Sequence, residues 1–198
     1  MLDLDKLSLL PYSFYQRDTV TVAKELLGKY MVYINDKDII AGKVVETEAY
    51  LGKEDPACHS ARGRDKRNEA MFGPSGHAYI YLIYGIHLCF NVTTGPPHRP
   101  EAVLIRALEP VMGIDIMRKN RRQNDILNLC NGPGKLVQAM GIGMELNGTS
   151  VVEGPIRFYS ESCKENFDIV TTTRIGISRA ADWPLRFYVA QSRFVSKK

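Results

Sequence analysis

Residues 77–95 read HAYIYLIYGIHLCFNVTTG. Two apolar runs are hinged on Tyr84-Gly85, where the glycine supplies the backbone freedom that a tight reversal needs. A hairpin of this kind commits the chain to an antiparallel sheet, and further runs extend it. KYMVYIN and IIAGKVVETEAYL read as strands around a polar turn at Asn35-Asp36-Lys37-Asp38, and AVLIRALEP as another. SVVEG, IRFYS, TTTRIGIS and PLRFYVA are strand-like runs after residue 146. Helices fall between them. Asp18 or Thr19 caps one over TVTVAKELL, with Gly28 as its stop. Pro110 opens another toward MRKNRR, and a short one follows GPGK at residues 132–135 and ends near Gly141. From Gly52 to Gly76 the chain is polar and Gly-punctuated, with Met71-Phe72 as its strong apolar pair, which suits a long loop with short helices. The expected class is α+β, one domain over residues 1–198, with a mainly antiparallel sheet.

Of the 198 residues, 44% are hydrophobic, enough to bury a sizeable core. No apolar run approaches the ~20 residues needed to cross a bilayer. The N-terminus carries acidic residues where a secretory signal needs a basic start, so a soluble cytoplasmic protein without membrane contact is expected. Cys58, Cys89, Cys130 and Cys163 form no CxxC pair, and the histidines lack HExxH spacing, so neither a disulfide framework nor a metal is expected. GPGK lacks the spacing and the Ser/Thr of a nucleotide P-loop, which argues against ATP or GTP, and no cofactor is called for. The net charge of +4 is a weak hint of a polyanionic partner. Its distribution says more: Arg118, Lys119, Arg121 and Arg122 cluster in MRKNRR, and Arg62, Arg64, Lys66 and Arg67 in HSARGRDKRNE. Both clusters suit phosphate contacts, and both equally suit a solvated surface.

VVETEAYLG holds the candidate chemistry. Alternate residues of a strand share a face, which sets Val44, Glu46, Glu48 and Tyr50 on one side and Val45, Thr47, Ala49 and Leu51 on the other. The second face goes to the core, and the first resembles a cleft wall. The two carboxylate-bearing Cα atoms would lie roughly 6 to 7 Å apart, a separation used to cleave glycosidic bonds. On this stretch alone, edge-strand charges that discourage aggregation are the simpler account. Arg106, inside the apolar AVLIRAL, needs a carboxylate partner if buried, and pairing with Glu48 would favour the ionised form that a general base requires. A structural ion pair explains it equally well. Tyr84 at the hairpin tip is hard to bury and suits wedging between stacked bases.

In combination, VVETEAYLG, His59-Ser60, Arg67-Asn68 with Met71-Phe72, YIYLIYGIHLCFNVT, VLIRALEP, LCNGPGKLVQAMGI and the late RIGI and WPLRFYV resemble the alkyladenine (3-methyladenine) DNA glycosylase family. The resemblance covers nearly the whole chain in order. It implies a single compact α+β domain with a mainly antiparallel curved β-sheet, surrounding helices and a protruding β-hairpin. It implies a monomer acting on double-stranded DNA that contains damaged purines, such as 3-methyladenine, 7-methylguanine, hypoxanthine or ethenoadenine. Glu48 then activates the attacking water with Arg106, and Glu46 is a supporting residue. The extruded base lies between Tyr50 and Tyr81 with His59 completing the slot, Asn91 crowds the 2-amino group of guanine, and the backbone at Ile175 holds the water. Tyr84 fills the gap in the stack. No lysine is placed for Schiff-base chemistry, so strand cleavage is not expected. His87 and the GPPHRP loop depart from the family pattern. Two other readings are a binding module without hydrolysis and a hydrolase of free nucleosides or carbohydrates. Intact Glu48 and Arg106 argue against the first; the hairpin tyrosine and basic clusters argue against the second.

Overall fold

The structure, a computed structural model, describes residues 3–35, 37–96, 98–161 and 166–198, so Asp36, Pro97 and Cys163 lie outside it. In chain order the strands are β1 (Leu7–Leu9), β2 (Tyr30–Ile34), β3 (Ile39–Tyr50), β4 (Ala78–Ile83), β5 (His87–Thr94), β6 (Glu101–Met112), β7 (Ile156–Glu161), β8 (Ile169–Thr172) and β9 (Arg186–Val189). The α-helices are α1 (Tyr12–Tyr15), α2 (Thr19–Leu26), α3 (Ile114–Arg121) and α4 (Pro133–Met140). Among the described residues, the nine strands form one antiparallel sheet ordered β1-β7-β2-β3-β6-β5-β4, with β9 pairing β3 and β8 pairing β9. The class is α+β.

Helix α2 starts where Asp18 Oδ1 accepts the Thr21 N–H at 2.8 Å, and buries Thr19, Val22, Ala23 and Leu26 on one stripe. It stops before Gly28, whose φ of +78° turns the chain into β2; a Cβ there would meet the Phe167 ring at 2.7 Å. Helix α4 has Pro133 in its first turn and closes on the left-handed Gly141. Its Leu136, Val137 and Met140 join Val22 and Leu26 of α2 and Val44, Ala49, Phe90, Val103, Ile105 and Leu108 of the sheet in one buried cluster. The core therefore lies between the helices and one face of the sheet, leaving the other face for chemistry.

Four expectations are corrected. Pro110 opens no helix: β6 runs through it to Met112, and α3 begins after the left-handed Gly113. Pro110 sits opposite Gly42, beside a register shift between Ala41 and Gly42, a place where a strand can lack a donor. SVVEG is a turn rather than a strand, and β8 ends at Thr172, so RIGIS is not extended pairing. The faces of β3 do not simply alternate either. Register shifts at Val44/Glu46 and Glu46/Thr47 put Val44 in the main core, while Val45 packs with Ala107 and Val195 on the outer side. The stretch from Gly52 to Gly76 carries three 3₁₀ turns, pinned by Met71 in a small cluster with Cys58, Tyr79 and Ala102.

Candidate active site

The bulged centre of the β3–β6 pair turns Glu46, Glu48 and Arg106 to the outer face together, and all three are buried. Glu48 is 0% exposed, so it does not form the open cleft wall that strand alternation suggests. Its Oε1 accepts the Ile175 N–H at 2.7 Å and meets Arg106 Nη1 at 3.2 Å; its Oε2 accepts from the Tyr50 hydroxyl at 2.9 Å. Three donors on one carboxylate describe an anion prepared for its charge. Burial nevertheless outweighs Arg106, Ile175 and Tyr50, and pushes the Glu48 carboxyl above the ordinary carboxylate range. Arg106 does favour the ionised form, as expected from the sequence, but burial is the larger effect. Glu48 remains a stronger proton acceptor than an exposed glutamate.

Glu46 faces the other way along the same network. Its Oε1 accepts from Arg106 Nε at 3.3 Å, Arg186 Nη1 at 2.9 Å and the Ser196 hydroxyl at 2.9 Å, and its Oε2 accepts the Ser196 N–H at 2.6 Å. Arg106 is thus held by both glutamates rather than by one. With every oxygen of Glu46 occupied, its supporting part is structural in the literal sense.

Above this network lies a cavity of about 500 Å³, lined by Tyr50, His59, Tyr81, Asn91, Arg106 and Ile175 among others. The size and the aromatic walls suit a flat heterocycle. Glu48 sits behind the floor, with its partners Tyr50, Arg106 and Ile175 reaching the cavity. His59 Nδ1 is 2.7 Å from the Tyr79 hydroxyl, and its ring meets Tyr81 edge-on at a centroid distance of 4.5 Å. Burial, then Arg67, lowers the His59 pKa and keeps the imidazole neutral near pH 7. Burial raises the phenols of Tyr50, Tyr79 and Tyr81, which stay protonated. Asn91 Nδ2 donates to Tyr79 O at 2.9 Å, an anchor that fixes the side chain at the cavity wall.

The hairpin β4–β5 rises at the cavity rim. Tyr84 is 80% exposed, with Leu82 and Ile86 exposed beside it. Tyr84 and Gly85 both have positive φ, +53° and +71°, as a type I′ turn requires. An aromatic residue in that conformation is strained by roughly 1–2 kcal/mol. Arg121, Gly134, Lys135, Gln138 and His87 also line the cavity. The basic clusters are partly engaged: Arg118 pairs with Asp115, Arg64 with Glu69, and Arg67 donates to Leu82 O at 2.9 Å. Among the described residues no three His, Cys, Asp or Glu side chains converge as metal ligands, and none of the helices is long and apolar enough to cross a membrane.

The eight site residues expected from the sequence therefore gather at one place: Glu48 behind the floor, Arg106, Tyr50, His59, Tyr81, Asn91 and Ile175 around the cavity, and Tyr84 at its rim. Sequence reasoning missed two others. Asp55 and Arg174 form a buried ion pair behind Tyr50. An arginine beside the β-branched TTT of TTTRIGIS was the available signal, since such a charge demands a partner.

Comparison with known proteins bears on the whole chain. The family model of methylpurine-DNA glycosylase matches residues 13–193. A protein of Methanoculleus marisnigri carrying the name "Putative 3-methyladenine DNA glycosylase" is 55% identical over 192 residues, covering 96% of this chain and 99% of that protein. Proteins of the same name from Carboxydothermus hydrogenoformans and Desulfitobacterium hafniense are 52% and 44% identical, covering 96% and 93% of this chain and 100% and 97% of theirs. The chain belongs to the methylpurine-DNA glycosylase family and is a DNA glycosylase, a hydrolase of DNA repair.

Proposed function

We propose that the protein releases alkylated and deaminated purines from duplex DNA by hydrolysis of the N-glycosidic bond, with Glu48 as the base that activates water. The observation that carries this is the sealed Glu48 carboxylate, held by three donors directly beneath a base-sized aromatic cavity. Tyr84 enters the stack as the damaged nucleotide swings out, and the purine enters the cavity between Tyr50 and Tyr81. Arg106 and Ile175 both contact Glu48 Oε1 and both line the cavity, and the attacking water is assigned to that side of the carboxylate. The water oxygen bonds to C1′, its proton passes to Glu48, and the C1′–N bond breaks with its electron pair leaving on the base. The Glu48 charge stabilises the oxocarbenium-like sugar as that bond opens. A cationic alkylated purine leaves as a neutral base and needs no proton, whereas a neutral deaminated purine leaves as an anion that takes its proton from solvent water.

Lys135 Nζ, 2.7 Å from Asn131 Oδ1 at the cavity rim, is suited to a phosphate beside the extruded nucleotide rather than to the sugar carbon. The chemistry therefore ends at an abasic site. Incubating the protein with methylated duplex DNA and identifying the freed bases tests the proposal. Methylpurines in the supernatant, absent with Glu48→Gln, support it; an equal yield from both proteins refutes the role of Glu48.

A further inference from the structure

Arg174 and Asp55 have fully buried side chains, and a buried ion pair is costly to desolvate. Arg174 Nη2 donates to Asp55 Oδ1 at 2.8 Å while Nη1 meets Oδ2, a two-pronged grip. Nη1 also donates to Ala49 O at 3.0 Å, the carbonyl between Glu48 and Tyr50. The guanidinium lies over the Tyr50 ring, 4.7 Å from its centroid. Asp55 in turn accepts the Leu51 N–H at 3.2 Å and the Ala57 N–H at 3.0 Å, which fixes the loop that leads to His59. The residue after Arg174 is Ile175, whose N–H is on Glu48. One ion pair therefore ties the end of β3 and the loop that follows it toward His59 to the segment carrying the Ile175 amide, 119 residues away in sequence.

We infer that Asp55 and Arg174 are positioning residues for the proposed hydrolysis, locking the Ile175 amide onto Glu48 and the Tyr50 ring into the cavity wall. This rests on Glu48 being the base. A plain scaffold needs no bidentate charge pair here, because α2 and the core already hold β3 from its other face. The pair differs from ordinary packing in its reach: both of its ends are bonded to backbone adjoining groups that touch Glu48 or line the cavity.

The readout is Glu48 itself. Facing it are Glu46 and Tyr50 on β3, Arg106 on β6, Tyr81 on β4, Cys89 on β5, and Arg174. Of the groups that act on Glu48, the Ile175 amide, the Tyr50 hydroxyl and Arg174 depend on the clamp, and all three favour the Glu48 anion. Loosening the clamp is therefore expected to move the acid limb of the rate profile to higher pH.

Arg174→Lys, which keeps the charge but loses the fork, and Asp55→Asn test this in the full chain. The assay is single-turnover release of base from methylated duplex DNA, at saturating protein across the acid and neutral range. The expected result is an approximately 100-fold slower release at neutral pH, the cost of a small misplacement of a reacting group. Affinity for the duplex should stay near that of the parent, and the acid limb should shift upward. If Asp55→Asn does not fold, Asp55→Glu keeps the pair at altered length and carries the same comparison. A lower melting temperature with unchanged rate per folded molecule and an unmoved acid limb overturns the inference. Should the parent protein free no base at all, it is the proposed function that fails, and the clamp falls with it.

Discussion

Glu48→Gln separates the charge of residue 48 from its shape. The amide is isosteric, and its oxygen can still accept from Ile175 at 2.7 Å and Arg106 at 3.2 Å, so the cavity above keeps its walls. What disappears is the proton acceptor and the negative charge. Loss of a positioned general base costs about 10²–10⁴ in rate. An anion about 4 Å from a developing cation contributes about 4 kcal/mol at an effective dielectric near 20, roughly 10³ in rate. The two figures describe the same anion and are not multiplied. A fall of about 10³ in single-turnover release is expected, with duplex affinity little changed. Stability should move the opposite way. A carboxyl whose pKa is higher folded than unfolded binds more protons when folded between those two values, so stability falls as pH rises through that interval. At neutral pH the buried charge of Glu48 is thus a net burden on the fold, and the neutral amide relieves it. The variant should melt at or above the parent temperature. Release slowed by less than about tenfold would remove Glu48 from the chemistry; a lower melting temperature would show that its charge holds the fold instead.

Base release should decline on acidification as Glu48 takes up a proton, at a pH above that of an exposed glutamate, because burial raises its pKa from 4.5; a pH–rate profile under single-turnover conditions checks it. Tyr84→Asn places a residue that tolerates the left-handed φ of +53° at the hairpin tip; it should gain about 1 kcal/mol of stability, read by urea unfolding, and release base more slowly from duplex than the parent. Equal slowing on single-stranded DNA would count against the wedge. Glu46→Gln breaks a buried network with Arg106, Arg186 and Ser196 and should cost about 3–5 kcal/mol of stability, again read by denaturant unfolding. Lys135→Ala should weaken duplex binding alike for damaged and undamaged sequences and lower the salt slope by about 1, and borohydride should trap no covalent DNA adduct in the parent.

Much of the fold was legible because strand and hairpin signals are local. Tyr84-Gly85 reverses between two apolar runs, and Asp18 and Gly28 bracket α2 where capping chemistry places them. Pro110 was misread for the same reason: as a local signal a proline suggests a helix start, whereas its tolerance in β6 depends on a register shift opposite Gly42, a property of the pair of strands. The bulge that separates Val44 from Glu46 is also invisible in one strand alone. In the site, motif positions carried Glu48, Tyr50, His59, Tyr81, Asn91, Arg106 and Ile175. Asp55 had no such help, since its partner is 119 residues away, and neither had the Ser196 contact to Glu46, 150 residues away.

The charge balance around residue 48 explains why this site draws on so much of the chain. Two carboxylates on adjacent outward positions of one strand would repel and destabilise the sheet if left alone. Arg106 lies between them and contacts both, yet one guanidinium cannot neutralise two anions. Arg186 from β9 and the Ser196 amide and hydroxyl near the C-terminus satisfy Glu46, which leaves Glu48 the less compensated of the two. Burial, and in small part the neighbouring Glu46 charge, raises the Glu48 pKa and gives that anion an incentive to take a proton, which is what a base acting on water needs. The segments that supply the balance, β3, β6, β9 and the C-terminal strap, meet at one point because β3 is long enough to pair with β2 and then with β9 along the same edge. Shortening β3 at its C-terminal end would therefore remove Glu48 and leave the Arg106 guanidinium on β6 without that partner, while the β2 pairing at the other end of the strand stays in place.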